Sequence, residues 1–174
     1  MEASLVDDID LTLLELLQRD ASLTNQALAE RAGISPPTCL RRVRRLREAG
    51  YIERQVALLS ADRLAPVLGH GLTAIVDIHL DRQDEAAQRS FADRVADDPA
   101  VQQCWRVSPG PDFTLVVTCR DMPDYLALAQ RLFTGDANVR NVKARFALAR
   151  LKFEPAMPLR PVKPNRGATE NQST

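Results

Sequence analysis

Five arginines fall within seven residues, Arg41 to Arg47, in the stretch ISPPTCLRRVRRLREAGYI that runs from Ile34 to Ile52. Guanidinium groups do little covalent chemistry, but their planar fork pairs bidentately with phosphate or with guanine O6 and N7. Spacing makes the cluster a surface. At about 100° per residue, Arg41, Arg44 and Arg45 group with Pro37 and Thr38 on one side of a helix, and Cys39, Val43 and Leu46 form the opposite, apolar stripe. Arg42 lies between the two faces, equally suited to an intraprotein ion pair and to an external contact. A charge run is usually only a solvated helix face. Here the positive charge is concentrated rather than abundant: Ser35 to Arg54 carries six arginines against Glu48 and Glu53, a local balance of +4, in a chain with 23 basic and 23 acidic residues. That local excess suits a phosphate-binding surface.

The elements around the cluster would position it. Ser35 is a good N-cap, its hydroxyl placed to accept from an orphan backbone N–H, and Pro36 suits the first helical position. Gly50 closes the helix. Upstream, a short helix from about Asn25 to Ala32, capped by Thr24, runs through Gly33 and Ile34 directly into Ser35, which is helix-turn-helix spacing. Ala29 permits a close crossing, Gly33 suits a left-handed C-cap, and Leu28 and Ile34 supply apolar contacts. A first helix from about Asp8 to Arg19, with Ile9, Leu13, Leu14 and Leu17 inward, completes a three-helix core. Asp7, Asp8 and Asp10 stand at its N-terminus, where dipole and capping roles are favoured over a metal cluster. In this reading Arg41, Arg42, Arg44, Arg45 and the helix N-terminus hold phosphates of double-stranded DNA, while Thr38 and one or two arginines read base edges.

The chain's 174 residues, 45% of them hydrophobic, exceed the needs of one such module. Residues 7–59 are assigned to the helix-turn-helix domain, with Gln55 to Leu59 read as a short strand, and residues 60–71, interrupted by Pro66, Gly69 and Gly71, form a connector. From Leu72, period-2 alternation places Ala74, Val76, Ile78 and Leu80 on one face of a strand. A helix from about Asp84 to Asp97 buries Ala87, Phe91 and Val95. Val101 to Val107 follows as a strand with Val101, Trp105 and Val107 together, then a strand through Phe113, Leu115, Val117 and Cys119. A helix from Met122 to Phe133 and a strand from Val139 to Phe153, with Val142, Ala144, Phe146 and Leu148 on one face, complete βαββαβ over residues 72–154. The fold class is therefore α+β: a three-helix helix-turn-helix domain followed by a ferredoxin-like domain whose open sheet face, with Ile75, Cys104 and Val116 among Asp77, Arg106 and Thr114, calls for a second subunit. Residues 155–174, with four prolines, Arg160, Lys163 and Arg166, read as a disordered tail.

Other chemistry is thin. Cys39, Cys104 and Cys119 lack CxxC spacing and read as reduced thiols, pointing to the cytoplasm. No apolar run approaches the ~20 residues of a membrane span, and the first residues lack the regions of a signal peptide. His70 and His79 have no metal-ligand spacing to a cysteine, His79 reads as strand surface, and glycine-rich phosphate loops and Ser/His/Asp signatures are absent. No catalytic residue, metal or cofactor is expected.

Taken together, IDLTLLELLQRD, LTNQALAERAGIS, RVRRLREAGYI and the domain order resemble the Lrp/AsnC, or feast/famine, transcriptional regulators from about Asp7 to Glu154. The resemblance transfers the family's helix-turn-helix roles to Thr24 through Val43, adding Thr24, Ser35 and Pro37 as DNA-binding positions. It implies a homodimer, higher assembly such as an octamer, and an amino-acid effector bound between dimers. The family's ligand-contacting turn, Ser or Thr, then Gly, two variable residues and Asp, corresponds to Ser108-Pro109-Gly110-Pro111-Asp112, which assigns Ser108, Gly110 and Asp112 to the effector. Pro109 stands where Gly is expected, and a proline supplies neither a donor nor a positive φ. Two readings stay open there, an altered or lost pocket and a merely stiff strand-to-strand turn. The expectation overall is an oligomeric, sequence-specific transcriptional regulator. The alternatives are an architectural DNA-wrapping protein of low specificity and an amino-acid-binding or enzymatic ferredoxin-like module.

Overall fold

The computed structural model describes residues 6–69 and 71–159. The chain divides into two compact units. One holds the described residues up to Ala57 together with the C-terminal segment from Phe153, and the other runs from Leu58 to Lys152.

In the first unit, α1 (Asp8–Arg19), α2 (Asn25–Ala32) and α3 (Pro36–Glu48) enclose Leu13, Leu28, Ala29, Cys39, Val43 and Leu46. The periodicity of these apolar positions is what folds the unit, because each helix can bury its stripe only against the other two. Thr24 caps α2 by accepting from the Ala27 N–H at 3.2 Å, and Gly33 turns the chain with φ of 67°. The Ile34 N–H returns to the Ala29 carbonyl at 3.0 Å, closing the turn into α3. Gly50, at φ of 79°, ends α3 in the same manner, with the Tyr51 N–H bonded to the Leu46 carbonyl at 3.0 Å.

Two expectations about chain segments are corrected in this unit. Gln55 to Leu59 forms no strand, and Val56, Leu58 and Leu59 stand exposed. Apolar β-formers become a strand only where a neighbouring backbone completes the ladder. The C-terminal segment is also ordered further than its composition suggests. The Gln18 side-chain amide donates to the Met157 carbonyl at 2.8 Å, and its oxygen accepts from the Met157 N–H at 3.0 Å. Residues 160–174 of the expected disordered tail lie outside the described residues, as does His70.

The second unit opens with α4 (Ala61–Leu68), where a plain connector was expected. Pro66 is tolerated there, and Gly69 ends the helix at φ of 68°. Then come β1 (Leu72–Leu80), α5 (Glu85–Ala96), β2 (Val101–Arg106), β3 (Phe113–Cys119), α6 (Met122–Ala129, extended by a π-helical turn Gln130–Thr134) and β4 (Val139–Phe146). The strands form one antiparallel sheet in the order β2-β3-β1-β4, the ferredoxin-like arrangement. Both helices cover the face that carries Ala74, Val76, Ile78, Leu80, Phe113, Leu115 and Val117, with Phe91, Val95, Tyr125, Leu128 and Phe133 closing the core.

Strand β2 differs in phase from the alternation read in the sequence. A bulge sets Val101 opposite Val117 and Gln103 opposite Val116, so one extra residue flips everything after it. Cys104 therefore packs toward the core and Trp105 turns to the open face, 59% exposed. That face carries Asp77, which accepts from Thr114 Oγ1 at 2.9 Å and pairs with Arg145 at 2.9 Å. Strand β4 stops at Phe146 rather than running to Phe153, and Leu148, expected to share a strand face with Val142, Ala144 and Phe146, is fully exposed.

Leu13 has no exposed surface. Leu13→Ala should destabilise the first unit by about 2–5 kcal/mol through the lost burial and the cavity left behind. In thermal melts followed by far-ultraviolet circular dichroism, unchanged stability would show that this helix stripe is not the core of the unit.

Candidate DNA-binding face and effector turn

The start of α3 is built differently from its sequence signal. Ser35 takes the extended N-cap conformation, yet its hydroxyl bonds the Thr38 hydroxyl at 2.9 Å instead of a backbone N–H. Pro37 offers no second-position donor, and the Thr38 hydroxyl takes the partner that a backbone N–H would otherwise supply. The Asn25 side-chain amide donates to the Pro36 carbonyl at 2.9 Å and ties the two helices of the motif at their N-termini. Thr24, Ser35 and Pro37 are exposed and Thr38 is half-buried.

The arginines separate into three groups. Arg41 is exposed and has no ion pair among the described residues. Arg44 donates to Glu48 at 2.7 Å, and both side chains remain largely in solvent, 78% and 64% exposed. This bond holds the Arg44 guanidinium in its charged form more firmly than usual, but a pair so open to water is screened and adds little stability. Arg47 donates to the Gln55 side chain at 3.1 Å.

Arg42 and Arg45 form the third group, with Asp10 between them. Asp10 has no exposed surface. It completes a capping box with Asp7: the Asp10 N–H donates to Asp7 Oδ1 at 2.9 Å, and the Asp7 N–H donates to Asp10 Oδ2 at 3.2 Å. Arg42 Nη1 then bridges both carboxylates, at 2.7 Å to Asp7 and 2.9 Å to Asp10, while Arg45 Nη2 bonds the other Asp10 oxygen. For Arg42, the structure realises the ion-pair alternative. The placement of Arg45 as an open cation is corrected, since a buried carboxylate one turn into α1 draws its guanidinium down. Asp7 and Asp10 do cap the helix, but sequence reasoning missed their ion pairs to α3. A signal was present, because Asp10 lies three and seven residues before Leu13 and Leu17 and thus on the apolar stripe. Taking the guanidiniums away would leave the covered Asp10 carboxylate without its counter-charge, so this cluster ties α1 to α3.

The turn between β2 and β3 is held at its base. The Val107 N–H donates to the Asp112 carbonyl at 3.1 Å, and the Asp112 N–H to the Ile78 carbonyl at 2.8 Å. Asp112 Oδ2 accepts from the Leu80 N–H at 2.7 Å and from the Gln83 side chain at 3.4 Å. Ser108, Pro109 and Gly110 form an exposed tip, with the Ser108–Pro109 peptide cis and Gly110 at φ of 125°, a conformation that favours glycine. The three effector positions are therefore not equivalent: Ser108 and Gly110 are open, whereas the Asp112 carboxylate already joins the turn to the end of β1.

A helix-turn-helix unit with an arginine-bearing second helix, followed by a ferredoxin-like domain, defines a class of two-domain DNA-binding regulators. Residues 6–53 match the winged helix-turn-helix DNA-binding family, and residues 73–157 match the Lrp/AsnC ligand binding domain. The leucine-responsive regulatory protein of Rhizobium meliloti is 38% identical over 147 residues, which span 84% of this chain and 92% of that protein. A crystal structure of an AsnC family transcriptional regulator from Agrobacterium tumefaciens superposes with a TM-score of 0.79 at 29% identity, covering 88% of this chain and 97% of that one. A transcriptional regulator from Neisseria meningitidis, crystallised with L-methionine, superposes with a TM-score of 0.76 at 30% identity, covering 89% and 97%. The chain belongs to the Lrp/AsnC family of transcriptional regulators. Among the described residues, no helix is long and apolar enough to cross a membrane.

The cap and ion cluster make a pH dependence of definite sign. The Asp10 N–H, first, and then Arg42 hold the Asp7 carboxyl below the usual aspartate range. Its folded pKa lies under its unfolded one, so the stabilisation is complete above the unfolded value and is lost as pH falls through the folded value. Melts of the chain should weaken from about pH 4 downward. Asp7→Asn should flatten that acid limb, and an equally steep loss in the variant would remove Asp7 as its source.

Proposed function

We propose that the chain is a sequence-specific DNA-binding transcriptional regulator, cytoplasmic and without enzymatic activity. It works as a homodimer that assembles further, to an octamer or a similar size, and is modulated by an amino acid or a related metabolite. The observation that carries this reading is the exposed face of α3, where Pro37, Arg41 and Arg44 stand open beside a half-buried Thr38 on a helix-turn-helix unit. In this proposal Thr38 and Arg41 address base edges, Arg44 exchanges Glu48 for phosphate, and the helix N-termini at Thr24 and Ser35 face the DNA backbone. The open sheet face, with Trp105 59% and Ile75 37% exposed beside the satisfied Asp77, supports pairing with a second copy. The methionine bound to the Neisseria regulator supports an amino acid as effector, taken at the turn of Ser108, Gly110 and Asp112.

Competition between genomic fragments and random duplex at fixed salt tests the DNA reading. A marked preference for particular fragments is expected, and a ratio near one would fit an architectural wrapping protein instead. Calorimetry against amino acids, methionine and leucine included, tests the effector. Pro109 and Pro111 offer no N–H, so an amino acid leaning chiefly on Asp112 should bind, with the aliphatic ones weaker. Tight leucine binding that Asp112→Ala abolishes, together with a change in assembly size, would show an ordinary pocket despite the prolines. Turnover of a metabolite with no fragment preference would favour the enzymatic alternative.

A further inference from the structure

We infer that Asp10 withholds charge from DNA: by engaging Arg42 and Arg45 it keeps two of the guanidiniums of α3 off the phosphates and thereby restrains sequence-independent binding. The inference rests on the DNA-binding reading above and adds a residue to it that touches no DNA. By helical position Arg45 belongs beside Arg41, and 43% of its side chain is exposed. Its Nη2 nevertheless lies against a carboxylate with no exposed surface. The contrast with Arg44 decides what each can do. Glu48 is 64% exposed, so water can solvate it when a phosphate takes Arg44 away. Asp10 is 0% exposed with its arginines in place, so drawing Arg45 away breaks a bond to a carboxylate that the fold otherwise keeps covered and paired. Asp7, 49% exposed, is the second carboxylate on Arg42. Two carboxylates thus balance two guanidiniums, and the cluster presents no net charge to DNA.

The consequence is thermodynamic. Each cation that neutralises a phosphate releases counterions and strengthens binding to any duplex, whatever its sequence. Withholding two cations lowers that background and leaves the base-reading residues of the helix face untouched, which raises the ratio of specific to non-specific affinity.

The full chain is titrated with a random-sequence duplex over a series of salt concentrations, comparing wild type with Arg41→Ala, Arg45→Ala and Asp7→Asn, each checked for helicity by circular dichroism. Arg41→Ala should lower the slope of log affinity against log salt by about one, and Arg45→Ala by less than half of that. Asp7→Asn, at a half-exposed site, leaves the cluster one positive charge in excess. It should steepen the slope by up to about one and lower the specific-to-random ratio several-fold. This arm decides the matter if Arg45→Ala loses helicity. Arg45→Ala flattening the slope as much as Arg41→Ala, or Asp7→Asn changing neither slope nor ratio, would overturn the inference. Wild-type protein that binds no duplex would overturn the DNA-binding reading itself, a result visible before any variant is compared.

Discussion

The pairing of one buried carboxylate, Asp10, with Arg42 and Arg45 constrains most of what the first unit does. A charge taken out of water must find its counter-charge nearby, and the cations available lie on the next helix but one. α1 and α3 therefore have to cross at one register, with Leu13 meeting the stripe of Cys39, Val43 and Leu46. The apolar contacts supply most of the burial, but many near-equivalent packings of leucine and valine would do that. The ion cluster narrows them, because any packing that is kept has to bring guanidiniums of α3 to Asp10. Its cost falls on function, since arginines that look like DNA ligands in a linear reading are partly committed inside the protein.

The sequence makes some of this legible and hides the rest for identifiable reasons. The three helices and their turn are local matters: Thr24, Gly33 and Gly50 act through their own backbone neighbours, and the structure places them as caps and left-handed turns. The alternation of β1 and β3 is equally plain, because both strands are central and bury one whole face. Edge strands are harder. In β2 a single bulged residue exchanges Cys104 and Trp105 between faces, and in β4 the apolar spacing runs on past Phe146 after the pairing with β1 has ended. Gln55 to Leu59 has strand-like residues but no partner strand. The candidate site divides in the same way. Exposure of Arg41 follows from helix geometry alone, whereas the commitment of Arg45 depends on a residue 35 positions away.

The effector turn shows how one residue can carry two obligations. Asp112 closes the end of β1 through the Leu80 N–H, and the same side chain stands where the resemblance to the family expects a ligand-contacting acid. A carboxylate accepts at two oxygens, and the protein uses Oδ2 for Leu80 and Gln83. A ligand ammonium directed at the other oxygen would meet a group already oriented by the fold, at little cost in ordering. The prolines beside it act in the opposite sense. They stiffen the tip and remove donors, so under the proposed reading a ligand would have to rely on fewer groups.

The described part of the C-terminal segment gives the two units an unusual covalent relation. The chain leaves the first unit near Ala57 and returns to it at Phe153, where Gln18 grips the backbone of Met157 from both sides. A side-chain amide that donates and accepts on one residue imitates a strand partner, and it fixes the returning chain without needing a second strand. The segment from Phe153 is therefore a component of the first unit, held on α1.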